Sequence, residues 1–213
     1  MSRFSFHSPR DREWEAIAGL VVDAIPNYVV SRMGPRFCTH YLKLLAAHPQ
    51  TCSLAAYDEA GHFAGVVIGS LNSRRARRLT LPVIAKLLLA ANVRLLSPAF
   101  LGWLARGTFE AKPSEITGPS PEAELIILVI SPDFRGEGLA PLLLDALEEF
   151  FRRHHLGDPY LILTETRNLA SNKFYEKIGA RFIRTTMHHR RRMNVWHKHL
   201  SADPGFTAGQ SFP

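Results

Sequence analysis

A chain of 213 residues with 46% hydrophobic content is long enough to bury a full core. Charged residues make up 21%, and 14 glycines with 14 prolines are an ordinary share, which excludes disordered, collagenous and low-complexity classes. The two cysteines, Cys38 and Cys52, suggest neither a disulfide scaffold nor a metal knuckle, and 26 Lys+Arg against 19 Asp+Glu leave a net charge of +7. That charge suits nucleic acid, an acidic membrane surface or a phosphorylated ligand, and it equally suits plain surface solubility. Residues 1–10 contain no apolar stretch of the secretory kind, so cytoplasmic residence is expected.

Residues 3–8 alternate, with Phe4 and Phe6 in phase, and predict a short strand. After Ser8-Pro9, the residues Trp14, Ile17, Leu20, Val21 and Ala24 recur at helical spacing. Phe37, Tyr41, Leu44 and Leu45 do the same over about 35–47, where His48-Pro49 ends the pattern. Apolar runs at 51–57 and 63–70, joined by Asp58-Glu59-Ala60-Gly61-His62, predict a β-hairpin.

The rhythm breaks over residues 71–123. A basic cluster, Arg74-Arg75-Ala76-Arg77-Arg78, precedes Leu81, Ile84, Leu88, Ala91 and Leu95 at helical spacing, which predicts one or two amphipathic helices. Lys86, Arg94 and Pro98 interrupt any span approaching the roughly 20 apolar residues a bilayer requires. Peripheral membrane contact through residues 74–96 stays open, beside the capping of a sheet edge or a homodimer contact.

Leu125-Ile126-Ile127-Leu128-Val129-Ile130 is continuously apolar and predicts a central strand buried on both faces. Behind it comes Arg135-Gly136-Glu137-Gly138-Leu139-Ala140, opening a helix that runs to about 155. Alternate glycines let successive N–H groups point into one concavity, and the helix adds its positive end, a suitable seat for a pyrophosphate. The pattern lacks the third glycine of a dinucleotide-binding loop and the Lys-Ser/Thr of a P-loop, and on spacing alone it also fits a tight strand-to-helix turn.

A strand at 160–164, a helix at 169–178 ending at Gly179, and strands at 182–187 and 193–198 complete the pattern. The pairs His154-His155, His188-His189 and His197 with His199 lack Cys or carboxylate partners, and no metal site is expected. Arg190-Arg191-Arg192 reads as a solvated basic turn, and residues 201–213 read as a frayed tail.

The central strand with Arg135-Gly136-Glu137-Gly138-Leu139-Ala140, followed by Asn168-Leu169-Ala170-Ser171-Asn172-Lys173-Phe174-Tyr175-Glu176-Lys177-Ile178-Gly179-Ala180, resembles the two signature motifs of the GNAT superfamily of N-acetyltransferases. The resemblance implies an α/β architecture, the GNAT-type acyl-CoA N-acyltransferase fold with a mixed central sheet flanked by helices. It would form a single domain over residues 1–200, with a helical insertion at about 71–123. It further implies acetyl-CoA as the acyl donor, cradled at Arg135, Gly136, Glu137, Gly138, Leu139 and Ala140. Val129 and Ile130 would lie along the pantetheine arm, Asn168 close by, and Tyr175 beside the sulfur.

Elementary chemistry supports those roles. A lysine-like amine, with a pKa of about 10.4, must lose a proton before it attacks a thioester, and a thiolate whose parent thiol has a pKa of about 8.5 leaves more easily when protonated. Tyr175 offers a donor, although a core aromatic would look the same, and Asn168 also suits a helix cap. Glu124 resembles the glutamate many GNAT enzymes use as base, and Glu122 lies two residues before it. The expected reaction is direct transfer of an acetyl group to a primary amine in a ternary complex, the acceptor being a small molecule, an amino sugar or a peptide. The alternative is a non-catalytic module that binds coenzyme A or a nucleotide and docks a membrane or partner through the insertion. Nucleic acid is not an expected partner.

Overall fold

The computed structural model describes residues 3–77, 121–154, 156, 159–188 and 191–200, together with 87 and 89. The strands are β1 (Phe4–His7), β2 (Thr51–Asp58), β3 (Phe63–Ser70), β4 (Glu124–Ile130), β5 (Tyr160–Glu165), β6 (Arg181–His188) and β7 (Arg191–Lys198). The helices are α1 (Trp14–Ala24), α2 (Val29–Arg32), α3 (Pro35–Ala46), α4 (Ser73–Ala76), α5 (Leu139–Arg153) and α6 (Leu169–Lys177). The helices expected between residues 81 and 96 lie outside the described residues.

Two compact units divide the chain. The first takes Met1–Ser8, Gln50–Ala76 and Pro121–Pro213, and the second takes Pro9–Pro49 and Arg77–Ser120. In the second unit α1 packs on α3. Of the apolar stripes read from the sequence, Trp14, Ile17, Val21, Phe37, Tyr41 and Leu45 are out of solvent, whereas Leu44 is half-buried and Leu42 is buried instead, and this burial holds helices of this length together.

The first unit is a seven-stranded sheet in the order β1-β2-β3-β4-β5-β7-β6. Neighbours run antiparallel except β4 and β5, which are parallel. Helix α5 lies over β2, β3 and β4, and its buried Leu143, Leu144, Leu147 and Phe151 join Leu54, Val67, Leu125, Tyr160 and Ile162 in one core. Gly69 permits that close packing, because a Cβ there would meet the Leu147 methyl carbons at 2.6 and 2.7 Å.

Two expectations need correction. The β4 run is not buried on both faces throughout: Ile127 and Val129 are buried, whereas Leu128 and Ile130 are only half-buried. Nor is Arg191 in a solvated turn. It opens β7 opposite His188, and its guanidinium is largely buried because it finds the Glu165 carboxylate at 2.6 Å.

Candidate active site

The site begins with a defect in the sheet. Strand β4 pairs with β5 only where Glu124 faces Leu161 and Leu125 faces Ile162. Beyond those rungs both strands continue, β4 to Ile130 and β5 to Glu165, without pairing. On the other side of β4 the register shifts between Ile68 and Gly69, leaving Ile126 as an extra residue, a β-bulge that bends β4 where it parts from β5.

Alternation then fixes which main-chain groups face the opening. Ser131 N–H donates to Ala64 O at 2.8 Å, so Ser131, Val129 and Ile127 turn their peptide groups toward β3. Leu128 and Ile130 turn theirs toward the slot. Of the two residues expected along the pantetheine arm, Ile130 lines the slot edge and Val129 hydrogen-bonds within the sheet.

At the end of the slot Pro132–Phe134 forms a 3-10 turn, and the chain reaches α5 through Arg135 to Gly138. Arg135 Nε donates to Ile130 O at 3.3 Å, folding the loop back on the strand. Gly136 and Gly138 have φ of +85° and +79°, left-handed values that strain any residue with a Cβ. Neither position is crowded, so the glycines serve conformation rather than space. Gly138 caps α5 without a side-chain hydrogen bond, and the first N–H groups of any helix lack internal partners. Leu139, the first residue of α5, is buried in the core.

Tyr175 and, as N-cap, Asn168 belong to α6, which follows β5 in the chain. Asn168 Oδ1 accepts from Ser171 N–H at 3.1 Å and so caps α6. Tyr175 is buried, with its ring edge-on to Phe174, and burial alone raises its phenol well above the ordinary range, so it stays protonated at neutral pH.

The two candidate bases differ in setting. Glu124 is only 3% exposed, at the first rung between β4 and β5. Glu122 is exposed but held: its Oε2 accepts from Asn72 Nδ2 at 2.8 Å and its carbonyl from Ser73 N–H at 3.0 Å. Asn72 Oδ1 in turn accepts from Arg75 N–H at 3.0 Å, so this residue joins α4 to the entry of β4.

Sequence reasoning passed over Asn72, whose place three residues before Arg75 has the spacing of a helix cap. It also passed over Asn172. That side chain donates to Glu165 O at 2.9 Å and Asn168 O at 2.8 Å, and accepts from Thr164 Oγ1 at 2.6 Å and Asn194 Nδ2 at 3.0 Å. Trp196 Nε1 extends the network to Thr164 at 3.0 Å, so α6 is fastened to β5 and β7 at the slot wall. Among the described residues no three His, Cys, Asp or Glu side chains gather as a metal group would, and no helix is long and apolar enough to cross a membrane.

A mixed sheet parted at its parallel step, with a glycine loop at the mouth of the gap, defines an acyl-coenzyme A transferase architecture. The family model for the GNAT acetyltransferases matches residues 23–180, and the chain belongs to that family. It is an acyltransferase, of a family that uses acetyl-CoA as co-substrate. Solved structures agree in fold. The protein described as SsHAT superposes with a TM-score of 0.67 at 17% identity, covering 94% of this chain and 100% of its own. An N-acetyltransferase from Staphylococcus aureus gives 0.58 at 15%, covering 91% and 100%. A spermidine N-acetyltransferase from Vibrio cholerae gives 0.55 at 13%, covering 94% and 95%. No curated protein matches the chain.

Proposed function

We propose that the protein transfers an acetyl group from acetyl-CoA directly to a primary amine, with both substrates bound together. The observation that carries this reading is the unpaired stretch of β4 beside β5, ending at the glycine loop. An extended pantetheine arm can take the place of a missing strand there, bonding to the peptide groups of Leu128 and Ile130. The Arg135 to Ala140 main chain and the start of α5 suit the pyrophosphate.

With the thioester seated along β4, amine nitrogen attacks the carbonyl carbon, and an edge N–H of the slot stabilises the oxyanion without reorganising. The amine is neutral when it attacks, a carboxylate, Glu124 or Glu122, having first taken its ammonium proton directly or through water. The C–S bond then breaks. Tyr175 gives its phenolic proton to the departing thiolate and recovers one as the amide nitrogen sheds its second proton. No covalent enzyme intermediate is required.

The acceptor is a small amine, an amino sugar or a peptide; the spermidine enzyme of like fold supports the first of these. Asn72 supports Glu122 as a base that keeps one oxygen anchored and the other available.

The test is calorimetric titration with acetyl-CoA, followed by free-thiol release across polyamines, amino sugars and peptides. Binding with amine-dependent release is expected. Binding without release from any amine would favour the non-catalytic module, and absence of binding would refute the reading. Comparing Glu124→Gln with Glu122→Gln identifies the base, whose loss should remove the acid limb of the pH-rate profile.

A further inference from the structure

Glu137 is an awkward residue for an anion-binding loop, since it places a carboxylate between the two left-handed glycines. The structure supplies a counterion from a distant part of the sequence. Arg3 Nη1 lies 3.0 Å from Glu137 Oε2, the two side chains being 62% and 28% exposed. The neighbouring residue grips the other side of the same loop: Phe4 is buried and meets Phe134 edge-on, ring centroids 6.1 Å apart. The Arg3 guanidinium also lies over the Phe4 ring, 5.9 Å from its centroid.

Topology explains why the first strand reaches a loop that follows the fourth. Phe4 is opposite Asp58 at the end of β2, and Gly65 near the start of β3 is opposite Ile130 at the end of β4, so these termini share one end of the sheet. Because α5 lies across β2, β3 and β4, the loop feeding it must cross that end toward β2. Arg3 and Phe4 stand where it crosses.

We propose that Arg3 is a positioning residue for coenzyme binding, acting through Glu137: the pair cancels the carboxylate's field where the pyrophosphate sits and pins the bend between Phe134 and Gly138. This rests on the acetyl-CoA reading above. An ion pair this exposed does little for fold stability. Its effect is felt by an anion brought inside the screening distance of about 8 Å, where an uncompensated carboxylate repels a diphosphate.

The experiment is calorimetric titration of wild type, Arg3→Ala, Glu137→Gln and the double variant with coenzyme A, and with acetyl-pantetheine, which lacks the pyrophosphate. Arg3→Ala should weaken coenzyme A binding by about 3- to 10-fold, and by less than about 2-fold in the Glu137→Gln background. Acetyl-pantetheine affinity and the melting temperature should not change, which a general loosening of the fold would not allow. Equal loss in both backgrounds would mean that Arg3 touches the anion itself, and no loss in either would mean that the pair is idle; each result overturns the proposal. Wild type that fails to bind coenzyme A would refute the acetyl-CoA reading and this inference with it, an outcome separate from any difference among the variants.

Discussion

Lys198→Met should be among the most damaging single substitutions in the sheet, although it changes no residue of the slot. Lys198 closes β7 opposite Tyr160, and Glu148 reaches up to both from α5. The Glu148 side chain is fully buried, with Oε1 3.2 Å from Lys198 Nζ and 2.8 Å from the Tyr160 hydroxyl that donates to it. Burial, with the neighbouring Glu148 charge, holds the Tyr160 phenol well above its ordinary range, so it remains a donor. Taking away the ammonium removes the cation 3.2 Å from a carboxylate that stays in the core, where the Tyr160 hydroxyl still donates to it. Breaking a buried ion pair costs about 3–5 kcal/mol, a large part of the roughly 5–15 kcal/mol that holds a domain folded. In a chain of this length that corresponds to about 6–20 °C in melting temperature. The decisive comparison is the triple variant Glu148→Leu/Tyr160→Phe/Lys198→Met, which removes the charges and the hydroxyl together and should recover most of the loss, since apolar replacement of a whole buried set is often neutral. Urea unfolding measures all of it. A cost below about 1 kcal/mol for Lys198→Met, or a triple variant no better than the single, would refute the reasoning.

Three further outcomes follow from groups described above. Tyr175→Phe should lower turnover at least about tenfold while changing coenzyme A affinity little; equal losses in both would make the tyrosine a packing residue. Burial pushes the Cys38 and Cys52 thiols up to about 12, so neither should react with an aromatic disulfide reagent at neutral pH until denaturant is added, and rapid labelling of the native protein would contradict their burial. His197 is pulled below its ordinary 6.5 by burial, then by the charges of Arg181, His199 and Arg184. Above 6.5 the ring is neutral in both states, and as pH falls below it the unfolded chain binds the proton first, so stability declines toward the depressed folded value. His197→Gln should narrow the difference between urea midpoints at about pH 7.5 and about pH 5.5, and an unchanged difference would remove His197 as its source.

Much of this was legible in the residues, because local signals and burial agree. Period-two alternation places β1, period-three-to-four apolar spacing places α1, α3 and α5, and alternate glycines with a helix behind them mark the loop. The bulge was not legible. Every residue from Leu125 to Ile130 is apolar, so a phase shift at Ile126 leaves no mark in the pattern, yet it decides that Ile130 rather than Val129 faces the slot. Arg191 misled for a related reason: a run of three arginines reads as a solvated tip, and only β5–β7 pairing brings Glu165 within reach. Asn172 and Arg3 show the same limit, since their partners lie across strands and far along the chain.

A sheet ordinarily exposes its unpaired backbone at its two outermost strands, where aggregation begins. Here β1 and β6 hold those places, but the stretch from Leu128 to Ile130 is also an edge, set in the middle of the sheet. A foreign strand cannot easily stack there, because β5 converges on β4 at Leu125 and Ile162 and narrows the gap to a wedge. A thin linear chain with its own amides has no such difficulty. Amide exchange would then report occupancy directly: the Leu128 and Ile130 protons, fast in the empty protein despite their central position, slow when the wedge is filled, while those of Ile127 and Val129 stay protected throughout.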